Sequence, residues 1–178
     1  MPSNVCIVHI EDEYQQMKSF PSRMKDYIEK YWSDKTGNDN FSKIKEEKGN
    51  SDAGDAWIVF DIPCPENSGQ KFRYILISAS KISPEIASYI FERKYFIIDV
   101  LRPSSDAQRL WVTGNDSIAS ARENGGSDTN ITFFTACQGT DLDALKRDNP
   151  NVRVIPKSRL SELNRLLSDI IQTSMADG

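Results

Sequence analysis

Asn4-Val5-Cys6-Ile7-Val8-His9-Ile10-Glu11-Asp12-Glu13 is an apolar, largely β-branched run that stops abruptly in three carboxylates. Continuous apolar character, rather than strict alternation, is what a parallel strand needs when both faces of its sheet are covered. The acidic stop puts polar chemistry at the strand's carboxyl end, the edge at which open α/β sheets bind ligands. The run therefore reads as the first strand of an α/β protein, opening into a site.

Working outward, Pro21 suits the first turn of a helix, and Met24, Tyr27, Ile28 and Tyr31 recur at helical spacing along one face, with an end near Trp32 to Lys35. Residues 34–56 are polar, glycine-bearing and mixed in charge, and read as a solvated excursion. Residues 56–62 and 72–78 are strand-like, and the Pro, Asn and Gly between them predict a β-hairpin, or a returning strand that extends the main sheet. Ser83-Pro84-Glu85 is a helix opening, a capping residue followed by proline at the first helical position, with Ile86, Tyr89 and Ile90 behind it and a stop by Lys94. Residues 95–101 form a short apolar strand with Asp99 inside it, and some helix lies within 106–123. Strands follow at 131–136 and 152–155, separated by a short helix over 141–147. Leu160, Leu163, Leu166, Leu167, Ile170 and Ile171 mark a final amphipathic helix, with Ser158 or Ser161 available as its cap. Strands alternating with helices predict a doubly wound, five-stranded parallel sheet carrying an inserted β-hairpin or extra strand.

The length of 178 residues fits one domain, spanning 1–178, within which 34–80 is an insertion. No apolar run approaches the roughly 20 residues that span a bilayer, and the N-terminus lacks the basic start of a secretory signal, so the expectation is a cytoplasmic protein. A net charge of −4 argues against binding nucleic acid through global charge. Cys6, Cys64 and Cys137 are odd in number and scattered, without the CxxC or Cys/His clustering of a zinc site, so they read as reduced, mostly buried thiols.

Four polar positions fall at or just after strand ends: Glu11-Asp12, Asp99, Thr135 and Lys157. In a doubly wound sheet these ends are neighbours, so three carboxylates, a hydroxyl and an ammonium would converge. Asp99 carries the most weight, because a lone carboxylate amid apolar strand residues is costly unless it is paired or coordinated. Clustered carboxylates are reconciled by a hard divalent cation, and Mg²⁺ typically takes one or two of them and fills its shell with water and phosphate oxygens. Asp99 could then attack a phosphoryl donor to form an acyl phosphate, with Lys157 and the cation offsetting charge and Thr135 donating to a phosphoryl oxygen. His9, inside the first strand, reads as a packed, hydrogen-bonded residue rather than a ligand.

Ile-Val-His-Ile-Glu-Asp-Glu at 7–13, Ile-Ile-Asp-Val-Leu-Arg-Pro at 97–103, Phe-Phe-Thr-Ala at 133–136 and Val-Ile-Pro-Lys at 154–157 together resemble the response-regulator receiver family, in the family's order. Pro103 four residues after Asp99 and the 22 residues from Thr135 to Lys157 fit the family's spacing. The resemblance covers residues 4–15 and 95–171, and implies a flavodoxin-like receiver fold. It implies that Glu11 and Asp12 are the acidic metal pair for Mg²⁺, Asp99 the phosphoacceptor, Thr135 the switch hydroxyl and Lys157 the invariant lysine. Leu101 would lend its backbone carbonyl to the metal. Any enzyme activity would be self-phosphorylation and self-dephosphorylation at Asp99. The implied partners are a histidine kinase or phosphotransfer protein and an output protein, with the final helix as a homodimer face.

The chain departs from the family at Val154, where an aromatic switch residue usually stands three positions before the lysine, and at Pro156, which precedes the lysine instead of following it. Val154 and the insertion favour a second reading, a receiver-like binding module that keeps the fold without switching. A third, a Mg²⁺-dependent phosphatase or phosphotransferase with an aspartate nucleophile, is opposed by Leu101, which stands where haloacid-dehalogenase-type enzymes place a second acid.

Overall fold

Strand β1 (Val5–Ile10) is buried along its whole length because alternate side chains serve two different cores. Val5 and Ile7 belong to a cluster on one face of the sheet, Cys6, Val8 and Ile10 to a cluster on the other. A computed structural model describes residues 4–11, 13–37, 39–50, 56–65, 68–78, 80–100, 102–103, 111–112 and 114–177. Asp12 and Leu101, both expected at the site, lie outside the described residues.

After β1 comes a 3₁₀ turn, Tyr14–Lys18, that runs straight into α1 (Ser19–Thr36). The helix therefore begins two residues before Pro21, and it buries Phe20, Met24 and Ile28 against the first core. Gly37 closes it in the left-handed conformation at φ 68°, donating to the Ser33 carbonyl, a conformation that glycine adopts without penalty. Strands β2 (Lys45–Asn50), β3 (Ala56–Ile62) and β4 (Phe72–Ile77) follow. A single helical turn, α2 (Pro84–Ala87), comes next, with the Ser83 side chain accepting from the Ile86 amide as expected. Strand β5 (Arg93–Ile98) leads to a two-residue ribbon of β6 (Arg102–Pro103) and β7 (Trp111–Val112), then α3 (Asn115–Glu123). Strand β8 (Ile131–Thr135), α4 (Gly139–Asp148), β9 (Arg153–Pro156) and α5 (Leu160–Ala176) complete the chain.

The main sheet holds seven strands in the order β2-β3-β4-β1-β5-β8-β9. Five of them, β4-β1-β5-β8-β9, run parallel, while β3 and β2 add in antiparallel sense beyond β4. The parallel set is the expected five-stranded core. The sheet nonetheless exceeds five strands, because residues 56–62 and 72–77 pair antiparallel and the charged stretch Lys45–Asn50, read from sequence as solvated excursion, extends them as a further strand. The reason that β2 is silent in the sequence is physical: its residues are exposed or half-exposed, and Lys-Glu-Glu-Lys is how an edge strand discourages pairing with other chains. Its fit to β3 depends on Gly49, which stands opposite Trp57. A Cβ there would lie 2.1 Å from Trp57 Cζ2, so the indole lies across the glycine.

Helices α1 and α5 cover one face, where Leu163, Leu167 and Ile171 are fully buried, each removal from water contributing about 1.5–3 kcal/mol. Ile86, Ala121 and Leu145 from α2, α3 and α4 cover the other. The result is an α/β architecture with a mostly parallel sheet and helices on both faces, compatible with the doubly wound class. Among the described residues no helix is long and apolar enough to cross a membrane. Three local expectations are corrected. Asp99 follows its strand rather than lying inside it, because pairing stops at Ile98. The helix expected to run towards Lys94 is one turn, since β5 already begins at Arg93. Neither Ser158 nor Ser161 caps α5, whose cap position is Arg159, with no side-chain cap hydrogen bond.

Candidate functional site

Strand β1 lies between β4 and β5, so the chain leaves β1 toward α1 on one face and β5 toward α3 on the other. The crevice beyond the carboxyl ends of two such strands is where open α/β sheets bind ligands. Glu11 is the first residue after β1 and Asp99 the first after β5. The pairing of Ile10 with Ile98 and the hydrogen bond from the Asp99 amide to the Ile10 carbonyl, 3.0 Å, hold them side by side. The Glu11 amide donates to the Ile77 carbonyl of β4 at 2.9 Å, so this carboxylate's backbone is fixed from the other side.

Lys157, the first residue after β9, closes the constellation. Its amide donates to the Thr135 carbonyl at 2.6 Å, which aims the side chain back over the sheet edge. Its Nζ lies 2.9 Å from Glu11 Oε2 and 3.3 Å from Asp99 Oδ1. The Glu11 side chain is wholly buried and that of Asp99 is 5% exposed, while Lys157 keeps 20%, so one partly wetted ammonium is shared between two carboxylates that water hardly reaches. Burial works against the lysine's charge, yet the hydrogen bond and charge of Glu11, reinforced by Asp99, raise its pKa above the ordinary value. Glu11 also accepts from the Glu13 amide through Oε1 at 3.2 Å.

Thr135, the last residue of β8, is fully buried, and its hydroxyl donates to the Val100 carbonyl one residue beyond Asp99. The same oxygen accepts from the Cys137 amide at 3.0 Å. The Cys137 thiol is also directed at the Val100 carbonyl, 3.6 Å away, and burial pushes its pKa up, which is the reverse of an activated nucleophile.

The structure thus brings Glu11, Asp99 and Lys157 into direct contact and seats Thr135 beside them. The other two expected ligands, Asp12 and the Leu101 carbonyl, lie outside the described residues. Sequence reasoning did not single out two further groups. The Phe134 ring lies beneath the Lys157 ammonium, with its centroid 5.9 Å away, and the adjacent helix opening supplies Phe20 to the same wall of a cleft of about 300 Å³. Tyr74 of β4 holds His9: its hydroxyl and His9 Nδ1 are 2.7 Å apart, both residues fully buried. Only the alternation of β1 hints at this pair, by putting His9 on the α1 and α5 face. Burial, helped by the Lys157 charge, pushes His9 down to about 3, so it is neutral. Burial and then the Glu11 charge keep Tyr74 protonated, well above its usual range.

No protein-family model matches the chain, and no curated protein sequence does.

Proposed function

We propose that the protein is a phosphoacceptor receiver of a two-component or phosphorelay system, a cytoplasmic module with a flavodoxin-like fold that is phosphorylated on Asp99 and signals through protein contacts. The observation that carries this reading is the bridge from Lys157 to both Glu11 and Asp99 at the carboxyl ends of adjacent parallel strands. In support, the parallel strands run in the spatial order second, first, third, fourth, fifth, the order of flavodoxin-like sheets.

In this mechanism an Asp99 carboxylate oxygen attacks the phosphorus of a phosphohistidine on a kinase or phosphotransfer protein. The phosphorus–nitrogen bond breaks, the imidazole leaves with the electron pair, and an acyl phosphate forms. Lys157, already within ion-pair distance of Asp99, offsets charge on the transferred group. Thr135 would turn its hydroxyl from the Val100 carbonyl to a phosphoryl oxygen. Mg²⁺ fits the chemistry of the donor set, because Glu11 and Asp99 offer hard oxygens on either side of a point where a cation, the ammonium, already sits. Glu11 and Asp99 would hold it, with Asp12 and the Leu101 carbonyl beyond the described residues. No group of three metal-ligating side chains occurs among the described residues. When bound, the ion supplies charge neutralisation for the phosphoryl oxygens.

A second reading, a non-switching receiver-like binding module, is favoured by the two hydrogen bonds that already occupy the Thr135 hydroxyl, and by Val154 where an aromatic partner would be needed. Incubation with Mg²⁺ and acetyl phosphate, followed by intact-mass measurement, separates the two. The receiver reading expects a phosphoryl adduct on wild type and none on Asp99→Ala. Absence of adduct, together with no tryptophan fluorescence response to beryllofluoride and Mg²⁺, leaves the binding module.

A further inference from the structure

A cleft of about 470 Å³ opens at the end of the sheet opposite Glu11 and Asp99, between the start of β2, the end of β3 and the start of β4. The length of β4 sets the separation at roughly 20 Å, at about 3.3 Å per residue. Lys43, Lys45, Lys71 and Arg73 line this cleft, and Asp61 is the acid among its described lining residues.

The bookkeeping of charge makes the cleft unusual in a chain of net charge −4. Asp61 is taken up by Arg73, whose Nε and Nη2 grip the two carboxylate oxygens at 2.6 and 3.1 Å. The acids of β2 are committed elsewhere: Glu46 to Lys48 at 3.5 Å, and Glu47 to the Tyr89 hydroxyl at 2.5 Å. Lys43, Lys45 and Lys71 make no ion pair with any described residue, and all three are exposed. Arg73 is further pinned by donation from Nη1 to the Tyr89 carbonyl at 2.9 Å and by the Phe91 ring 4.6 Å below its guanidinium. Three ammonium groups without an ion-pair partner among the described residues therefore face one concavity whose walls are fixed by strand pairing and a bidentate ion pair.

Mutual repulsion of three cations is relieved most effectively by a multivalent anion, and lysine is a common point-charge binder of phosphate. The volume falls within the range of small-ligand sites, about 300–1,000 Å³. We propose that this cleft binds a compact polyanion, a small molecule with two or more phosphate or sulfate groups, through Lys43, Lys45 and Lys71. The site is separate from Asp99, and it does not rest on the receiver reading.

Tripolyphosphate titrated into the full chain in the presence of EDTA tests this by calorimetry and by amide chemical shifts. The expected result is saturable binding, with shifts confined to residues 42–45, 61–64 and 69–73 and affinity falling as salt rises. Lys43→Gln with Lys71→Gln weakens binding at least tenfold. An equal charge removal on α1, Lys30→Gln with Lys35→Gln, leaves affinity within twofold, as does Asp99→Ala. Non-saturating shifts over the whole surface, or equal losses in the two double variants, overturn the proposal. Tighter binding of a hexaglutamate peptide than of tripolyphosphate also overturns it, in favour of an acidic polypeptide partner.

Discussion

Replacing Lys157 by methionine keeps the length and most of the apolar bulk of the side chain over Phe134 but deletes the charge that Glu11 and Asp99 share. Removing one partner of a buried ion pair costs about 3–5 kcal/mol, because a desolvated charge is left behind. Here two carboxylates lose the ammonium, but the lysine is 20% exposed and water screens part of the loss, so the expected cost falls below that range, to about 2–3 kcal/mol. For a chain of 178 residues that corresponds to a fall in Tm of about 5–10 °C. The pH dependence adds a second constraint. The folded pKa of Lys157 is raised, so its contribution is complete below the unfolded value of 10.5 and is lost only as pH climbs through the raised one. The gap between wild type and Lys157→Met is therefore constant from pH 7 to 9. Urea denaturation followed by circular dichroism at pH 7 and 9 measures the gap, and Glu11→Gln in the Lys157→Met background should recover part of it. A Lys157→Met protein as stable as wild type at pH 7 would refute the reasoning, since the two carboxylates would then not depend on the ammonium.

Three other perturbations probe the scaffold. His9 is pushed down to about 3 from an ordinary 6.5, so the unfolded chain binds the extra proton between those values, and stability present above 6.5 is lost as pH falls toward 3. His9→Gln should remove a slope of about 1.4 kcal/mol per pH unit over pH 6 to 4, read as the difference between the two proteins' urea midpoints. Gly49→Ala forces the Trp57 indole out of its place, with an expected loss of about 1–3 kcal/mol and a changed tryptophan emission; an unchanged spectrum and midpoint would show that the crossing does not matter. Ser83→Ala removes the acceptor for the Ile86 amide and should cost about 0.5–1 kcal/mol in thermal unfolding, while Ser83→Asp should retain most of the stability.

The apolar runs expected at 4–10, 95–101, 131–136 and 152–155, and the leucine spacing of α5, were legible because burial on both faces or along one helical stripe is written directly into local composition. Asp99 was legible for the same reason, as a carboxylate that an apolar neighbourhood should not hold unaided. Strand β2 was not, because an edge strand made of charges has no apolar periodicity and exists only by pairing with β3. The sequence by itself determined where the apolar strands of an α/β sheet run and which polar residues stand near their carboxyl ends. Only the tertiary structure decided that Lys157 spans Glu11 and Asp99 together and that the Thr135 hydroxyl is given to the Val100 carbonyl. The order β4-β1-β5-β8-β9 likewise came from the folded chain. Residues 35 to 146 positions apart were brought into contact, and separations of that kind are set by strand order and register, which local propensity does not encode.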